Sequence, residues 1–251
     1  MFPIGDENEP GHGPAIVSLA FIAINVLVFL VLQGAGSASG EEFTYGYSAV
    51  PLEITTGEDL TTPQPIEIDG ETYGVPQEPG PSPIWLTLIT SMFMHGGWLH
   101  IAGNMLFLWV FGDNVEHRIG RIKFIVFYLL AGVAATALQT AINPDSAVPN
   151  IGASGAVAGV LGGYLLLFPR ARVVTVVFII IFFTVIELPA MLVLGLWFVQ
   201  QLLFGALEYD SAGEGGVAYF AHIGGFVFGL AMIRLLATNV KDVGRRRLAG
   251  T

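Results

Sequence analysis

The sequence predicts an all-α polytopic membrane protein, built as a bundle of six transmembrane helices. Hydrophobic residues make up 53% of the chain and charged residues only 12%, whereas a soluble domain carries about 25% charged residues. The apolar residues also fall in long runs, so lipid is the expected solvent for most of the chain. Cysteine is absent, which excludes a disulfide framework, a thiol nucleophile and thiolate metal sites.

The first elements are a polar tail, a span and a long polar loop. Residues 1–14 lack the basic start of a signal peptide and are expected to form a short cytoplasmic tail. Residues 15–36 are apolar and long enough to cross about 30 Å of hydrocarbon. Residues 37–83 form a loop rich in Gly, Pro, Thr and Glu, in which 66–75 predicts a short hairpin that turns at Asp69 and Gly70.

The remaining spans are predicted at 92–113, 122–142, 153–168, 189–207 and 217–238. The segment 173–205 needs division, because one helix of that length would be roughly 50 Å long and Pro189 disfavours a helix interior. We therefore expect 173–186, which is rich in β-branched and aromatic residues, to form a membrane-embedded loop. The fifth span then starts at Pro189, in its first turn.

The basic residues predict the orientation in the membrane. All ten lie at or beyond the end of the second, fourth or sixth span, and by the positive-inside rule that side is cytoplasmic. They are Arg118, Arg121, Lys123, Arg170, Arg172, Arg234, Lys241, Arg245, Arg246 and Arg247. Both termini, including a basic tail at 239–251, are then inside the cell and the 37–83 loop is outside. The localisation predicted is the cell membrane, and the net charge of −10 argues against nucleic acid as a partner.

Three groups of polar or small residues lie near the starts of the second, fourth and sixth spans. Polar groups are costly within a membrane, so each group needs an explanation. The groups are His95, His100 and Asn104, then Gly152, Ser154 and Gly155, then His222, Gly225 and Gly229. Because these three spans run in the same direction, all three groups are expected at similar depth in the outer half of the bilayer.

Small residues predict that the fourth and sixth spans touch. Ser154, Ala158 and Gly162 are spaced four apart on the fourth span, and Gly225 and Gly229 follow His222 on the sixth. Small residues let membrane helices approach closely. Such a contact, with Gly225 and Gly229 as packing residues, would bring the Ser154 hydroxyl to the His222 ring.

A serine and a histidine in contact predict nucleophilic catalysis, with Ser154 as nucleophile and His222 as general base. No carboxylate lies beside His222 in a span, so a dyad is expected. Free backbone N–H groups at the start of the fourth span, those of Gly152 and Ser154, could stabilise an oxyanion, and the side chains of His100 and Asn104 could join them. No metal or other cofactor is expected, since the His-Glu-x-x-His zinc pattern is missing.

Four linked motifs make the chain resemble the rhomboid family of intramembrane serine proteases, in the six-span prokaryotic form. They are His95-Gly-Gly-Trp-Leu-His100-Ile-Ala-Gly-Asn104, Glu116-His-Arg-Ile-Gly120, Gly152-Ala-Ser154-Gly155, and Ala221-His222-Ile-Gly-Gly225 with Gly229. The resemblance covers about residues 84–230. It implies cleavage of transmembrane protein substrates near the outer end of a span, with Ser154 as nucleophile, His222 as base, and His100 and Asn104 as oxyanion donors.

Several residues depart from this pattern or have other expected roles. Leu86 follows Trp85 where the family often has arginine, and Ala158 stands where many members stack a tyrosine on the histidine. His95 is expected to be structural or to hold water, and Glu116 to cap a cytoplasmic loop that turns at Gly120. The alternative is a catalytically inactive rhomboid-like protein that binds client spans, but such a protein should lack Ser154 or His222.

Overall fold

A computed structural model describes residues 2–7, 13–68, 71–179, 182–210 and 217–237. The chain is mostly helical. The helices are α1 (Ile16–Leu27, continued by a π-helical turn Val28–Leu32), α2 (Glu41–Gly46), α3 (Pro51–Thr56), α4 (Thr87–Thr90), α5 (Trp98–Ile119), α6 (Arg121–Ile142), α7 (Ser154–Leu167), α8 (Ala190–Asp210) and α9 (Tyr219–Leu236). The strands are β1 (Phe2–Asp6), β2 (Gln64–Ile68), β3 (Glu71–Val75), β4 (Arg172–Ile179) and β5 (Phe182–Pro189).

Three of the described helices are long and apolar enough to cross a membrane, namely Arg121–Ile142, Ala190–Leu207 and Tyr219–Leu236. Shorter apolar helices occupy Ile16–Leu32, Ile84–Phe93 and Ser154–Leu167. A chain with several such helices is a multi-pass membrane protein, as composition predicts. Large apolar side chains on α8, such as Leu203, are exposed on the isolated chain, as lipid-facing residues should be.

The short helix α7 forms the centre of the bundle and packs against α5, α6 and α9. Every residue from Gly155 to Tyr164 is buried. A Cβ on Gly225 or Gly229 would overlap the carbonyl oxygen of Gly155 or Gly159, respectively. The helices α7 and α9 therefore pack backbone to backbone.

The predicted contact face of this helix needs a correction. A Cβ on Gly162 would overlap the carbonyl of Phe226 on α9, as expected. The other two residues of α7 whose backbone touches α9 are Gly155 and Gly159. Each lies one residue after the predicted contact residue, Ser154 or Ala158. One residue is about 100° around a helix, so the spacing gave the right partner with an imprecise face.

Glu116 was predicted to cap a cytoplasmic loop, but it caps the start of helix α1. It lies within α5, is only 1% exposed, and its carboxylate accepts hydrogen bonds from the backbone N–H groups of Val17 and Ser18 at 3.1 and 2.8 Å. The Ser18 hydroxyl adds a third at 2.9 Å. A carboxylate at the start of α1 satisfies free N–H groups and complements the helix dipole. Gly120 does form the predicted turn, with a φ of 85° between α5 and α6.

We expect Glu116→Ala to lower the free energy of unfolding by roughly 2–4 kcal/mol, because three charge-assisted hydrogen bonds to a buried carboxylate are lost. Thermal or denaturant unfolding in detergent measures this. Glu187→Ala is the matched control, since Glu187 forms an exposed ion pair with Arg172 and should shift stability by less than about 1 kcal/mol. Equal losses in the two variants would contradict the capping role.

The segment predicted as a membrane-embedded loop is instead a β-hairpin. The strands β4 and β5 pair from Arg172 opposite Pro189 to Ile179 opposite Phe182, and β1 adds to β4. A run of β-branched and aromatic residues suits a strand, so the prediction of an irregular loop was wrong. Pro189 ends β5, so α8 begins at Ala190, one residue later than predicted.

The N-terminal residues, predicted as a simple tail, contribute β1 to this sheet. Asp6 accepts hydrogen bonds from the Tyr164 hydroxyl at 2.5 Å and from the Asn114 side-chain amide at 2.8 Å. Burial raises the pKa of Asp6 from its ordinary value to about 6. β1 is therefore bonded to the hairpin through its backbone and to α5 and α7 through the Asp6 side chain.

The hairpin predicted in the long loop is confirmed as β2 and β3, paired from Gln64 opposite Val75 to Ile68 opposite Glu71. Its predicted turn at Asp69 and Gly70 lies outside the described residues, as does the basic segment 239–251. Elsewhere this loop is fixed to the body of the protein, where Ala49 pairs with Asn150 and the Gln77 amide donates to the Ala147 carbonyl at 2.8 Å.

Candidate active site

Ser154 begins α7 directly after a turn that requires glycine. Gly152 has a φ of 134°, and a Cβ there would come within 2.8 Å of the His100 Nε2 atom and 3.5 Å of the Ser154 Oγ atom. An L-residue would be strained in this conformation and would intrude on both side chains. The structure thus brings the His100 ring and the Ser154 hydroxyl to the same small space around Gly152.

The backbone donors predicted here need one correction. The Gly152 N–H already donates to the Ser91 carbonyl at 2.9 Å, so it is not free to bind an oxyanion in this structure. Ser154 is the first residue of α7, and the first N–H groups of a helix lack an intrahelical partner.

Two side chains of α5, those of His100 and Asn104, are the other predicted donors. The His100 Nδ1 atom accepts the Gly96 N–H at 3.3 Å, so in the neutral ring Nε2 carries the hydrogen and is a donor. Asn104 lies one turn further along α5 and is 8% exposed. Its Nδ2 has no hydrogen-bond partner among the described residues. A buried donor without a partner is suited to a developing negative charge.

His222 lies in the first turn of α9, next to the close contact with α7. The preceding residue, Ala221, donates its N–H to the Gln139 side chain at 3.2 Å. Ala221 and Ser154 both line a recess of about 30 Å³, whose other walls include small residues such as Gly132 and Ala135. The two helix starts therefore border one narrow space, large enough for little more than a water molecule or a small side chain.

Two residues on α8 that the sequence did not predict for the site contact His222. The Gln201 Oε1 atom lies 2.7 Å from the His222 Nδ1 atom, and the Trp197 ring centroid lies 5.9 Å from that of His222. Ala158, which stands where many family members have a tyrosine, is fully buried in α7. Gln201 could have been noticed as a polar residue within the fifth predicted span, since such residues are costly in lipid.

His95 is buried, with 1% of its surface exposed, and its backbone is hydrogen-bonded to the Gln33 side chain. Its N–H donates to the Gln33 Oε1 at 2.8 Å, and its carbonyl accepts from the Gln33 Nε2 at 3.1 Å. Its ring stands edge-on to His100, with centroids 5.1 Å apart. Neither ring nitrogen has a hydrogen-bond partner in the part of the chain that the structure describes. These contacts fit a residue that positions its neighbours.

Residues 83–239 match the family model described as the Rhomboid domain. The chain belongs to the rhomboid family. That match covers more than half of the chain and includes every residue of the candidate site.

Relatives of this rhomboid are found in bacteria and in eukaryotic organelles. It is 28% identical over 168 residues to Rhomboid-like protein 11, chloroplastic, of Arabidopsis thaliana, covering 62% of this chain and 54% of that protein. It is 30% identical over 172 residues to Rhomboid protein 1, mitochondrial, of Saccharomyces cerevisiae, covering 65% and 45%. It is 28% identical over 154 residues to Rhomboid protease GluP of Bacillus subtilis, covering 61% and 25%. The matched region thus spans about half or less of each of these relatives.

Proposed function

We propose that this rhomboid is an intramembrane serine endopeptidase. It cleaves transmembrane segments of other membrane proteins near their outer end, with Ser154 as nucleophile and His222 as general base. The observation that carries the proposal is the meeting of the Ser154 hydroxyl and the His100 ring around Gly152, beside the start of α9. The Bacillus subtilis relative, Rhomboid protease GluP, further supports a protease.

The proposed topology has six spans in the cell membrane with both termini cytoplasmic. The helices α6, α8 and α9 provide three of them, and we assign the others to α1 with its π-helical turn, α5 and α7. A helix of 14 residues is only about 21 Å long, so α7 would not reach both faces of the bilayer. Ser154 would then lie below the outer surface, at the floor of a recess that admits water.

In the proposed reaction, the His222 Nε2 atom removes the proton from the Ser154 hydroxyl as Oγ attacks the scissile carbonyl carbon. The carbonyl oxygen becomes an oxyanion, which the Ser154 N–H, the His100 Nε2–H and the Asn104 amide stabilise. Return of the proton to the leaving nitrogen breaks the C–N bond and leaves an acyl-enzyme. Water, deprotonated by His222, then releases the acyl group and regenerates the hydroxyl.

Activity-based labelling tests this function. A fluorophosphonate probe should label the wild-type protein in detergent and should not label Ser154→Ala. A panel of purified single-span substrates, analysed by mass spectrometry, should then reveal a cut near the outer end of a span. A protein that binds these spans but neither reacts with the probe nor cuts would be a catalytically inactive rhomboid-like protein.

Asn104→Ala should lower kcat by about 100- to 1000-fold, the usual effect of losing one oxyanion donor. The side chain supplies a buried donor without a partner among the described residues, so its loss should leave the fold stable. Cleavage kinetics and thermal unfolding, measured together, separate the two effects. Normal cleavage by this variant would show that Asn104 does not bind the oxyanion.

A further inference from the structure

We propose that Gln201 is the positioning residue that fixes the tautomer and orientation of His222. The inference rests on the proposed function, in which His222 must present an unprotonated Nε2 atom to Ser154. It adds a third residue, an uncharged one, to the proposed pair.

The hydrogen bond between Gln201 and His222 defines where the imidazole proton resides. The Gln201 Oε1 atom is 2.7 Å from the His222 Nδ1 atom, and a carbonyl oxygen can only accept. In this proposal Nδ1 carries the hydrogen and donates it to that oxygen, and in a neutral ring the other nitrogen, Nε2, is then the acceptor. That is the form of histidine that can take a proton from a serine hydroxyl.

The surroundings hold this bond in place. Gln201 is 5% exposed, and Trp197 precedes it by one turn on the same face of α8. The Trp197 ring centroid is 5.9 Å from that of His222, with the planes inclined by 36°. Tyr219 on α9 stands edge-on to His222 at 6.3 Å. Two aromatic rings and one hydrogen bond thus fix the position, plane and rotation of the imidazole.

An amide differs from a carboxylate in this role. The protonated form of His222 gains no full opposite charge from Gln201, so the residue directs the proton without stabilising the imidazolium as an aspartate does in a triad. The neighbouring Gln200 is exposed and provides a control of the same residue type on the same helix.

The experiment combines kinetics with a direct measurement of the tautomer. Gln201→Met keeps the length of the side chain and removes the acceptor. We expect kcat to fall about 10- to 100-fold with KM within about twofold of wild type, as for a buried polar group that loses its partner. Gln200→Met should leave both constants unchanged. Gln201→Glu retains an acceptor and should recover most of the lost kcat.

The tautomer is read from ¹⁵N NMR spectra of histidine-labelled protein, with the His222 signals assigned by their loss in His222→Gln. The wild type should show hydrogen on Nδ1 of His222, and Gln201→Met should show a mixture of the two tautomers. Hydrogen on Nε2 in the wild type, an unchanged kcat in Gln201→Met, or equal losses in the Met and Glu variants would each overturn the proposal. Because the spectra need no substrate, they remain decisive even if the wild type fails to cleave and the proposed function fails.

Discussion

Replacing Ser154 by alanine should reduce substrate cleavage to the uncatalysed background, and replacing His222 by alanine should do the same. The double variant should be no slower than either single variant, because residues that act as a unit have non-additive effects on rate. Without the base, the hydroxyl is a weak nucleophile, and without the hydroxyl the base has no proton to take. Initial cleavage rates of the three purified variants on one single-span substrate measure this.

The histidine variant has a matched control within the same bundle. His117 lies in the last turn of α5, at the end opposite Ser154, so His117→Ala should cleave at close to the wild-type rate. Full activity in Ser154→Ala would contradict the proposed mechanism. A double variant much slower than both single variants would indicate two independent contributions in place of one proton-transfer unit.

The second large effect is expected from a single added methyl group. Gly229→Ala should lower both the thermal stability and the cleavage rate, because its Cβ would overlap the Gly159 carbonyl oxygen where the helices α7 and α9 meet backbone to backbone. Overpacking costs about 1–3 kcal/mol. A shift of about 1 Å between catalytic groups can reduce a rate about 100-fold. Thermal unfolding and cleavage kinetics of the same preparation measure the two effects.

Gly195→Ala is the appropriate control for that variant. Gly195 lies within α8, and a Cβ there meets no atom within 4 Å. Alanine favours a helix over glycine by roughly 1 kcal/mol, so this variant should be as stable as wild type or more stable. If Gly229→Ala and Gly195→Ala behaved alike, close packing through Gly229 would not be required for activity.

Much of this architecture could be predicted because membrane constraints act on long stretches of sequence. Lengths of apolar runs located the helices α6, α8 and α9 to within a few residues, and small residues pointed to the contact between α7 and α9. Periodicity could not fix the face of α7 more closely, since every position from Gly155 to Gly163 is small or apolar. A helix buried on all sides carries no amphipathic signal that orients it.

Three predictions failed or were missed, and the first concerns a hydrophobic segment that is compatible with more than one structure. An apolar run around Val173 suits an embedded loop as well as a strand, and only pairing with β1 decides between them. Gln201 was overlooked for a different reason: its role depends on which turn of α8 faces His222, and that follows from tertiary packing. The Gly152 N–H was assigned to the oxyanion because its bond to the distant Ser91 carbonyl cannot be read from local sequence.

The sheet that joins β1 to the hairpin brings together strands that are synthesised far apart in time. β1 precedes its partner in the chain by more than 160 residues: β4 begins at Arg172 and pairs with β1 from Phe2 opposite Val176 to Asp6 opposite Val173. At a translation rate of about 5–20 residues per second, the first strand waits on the order of 10–30 s for that partner. Through this interval its exposed apolar side chains, Phe2 and Ile4, have no sheet to join. Pairing of β1 therefore has to wait until the segment between α7 and α8 has been made, and it then holds that segment to the helices through the hydrogen bonds of Asp6 to Tyr164 and Asn114.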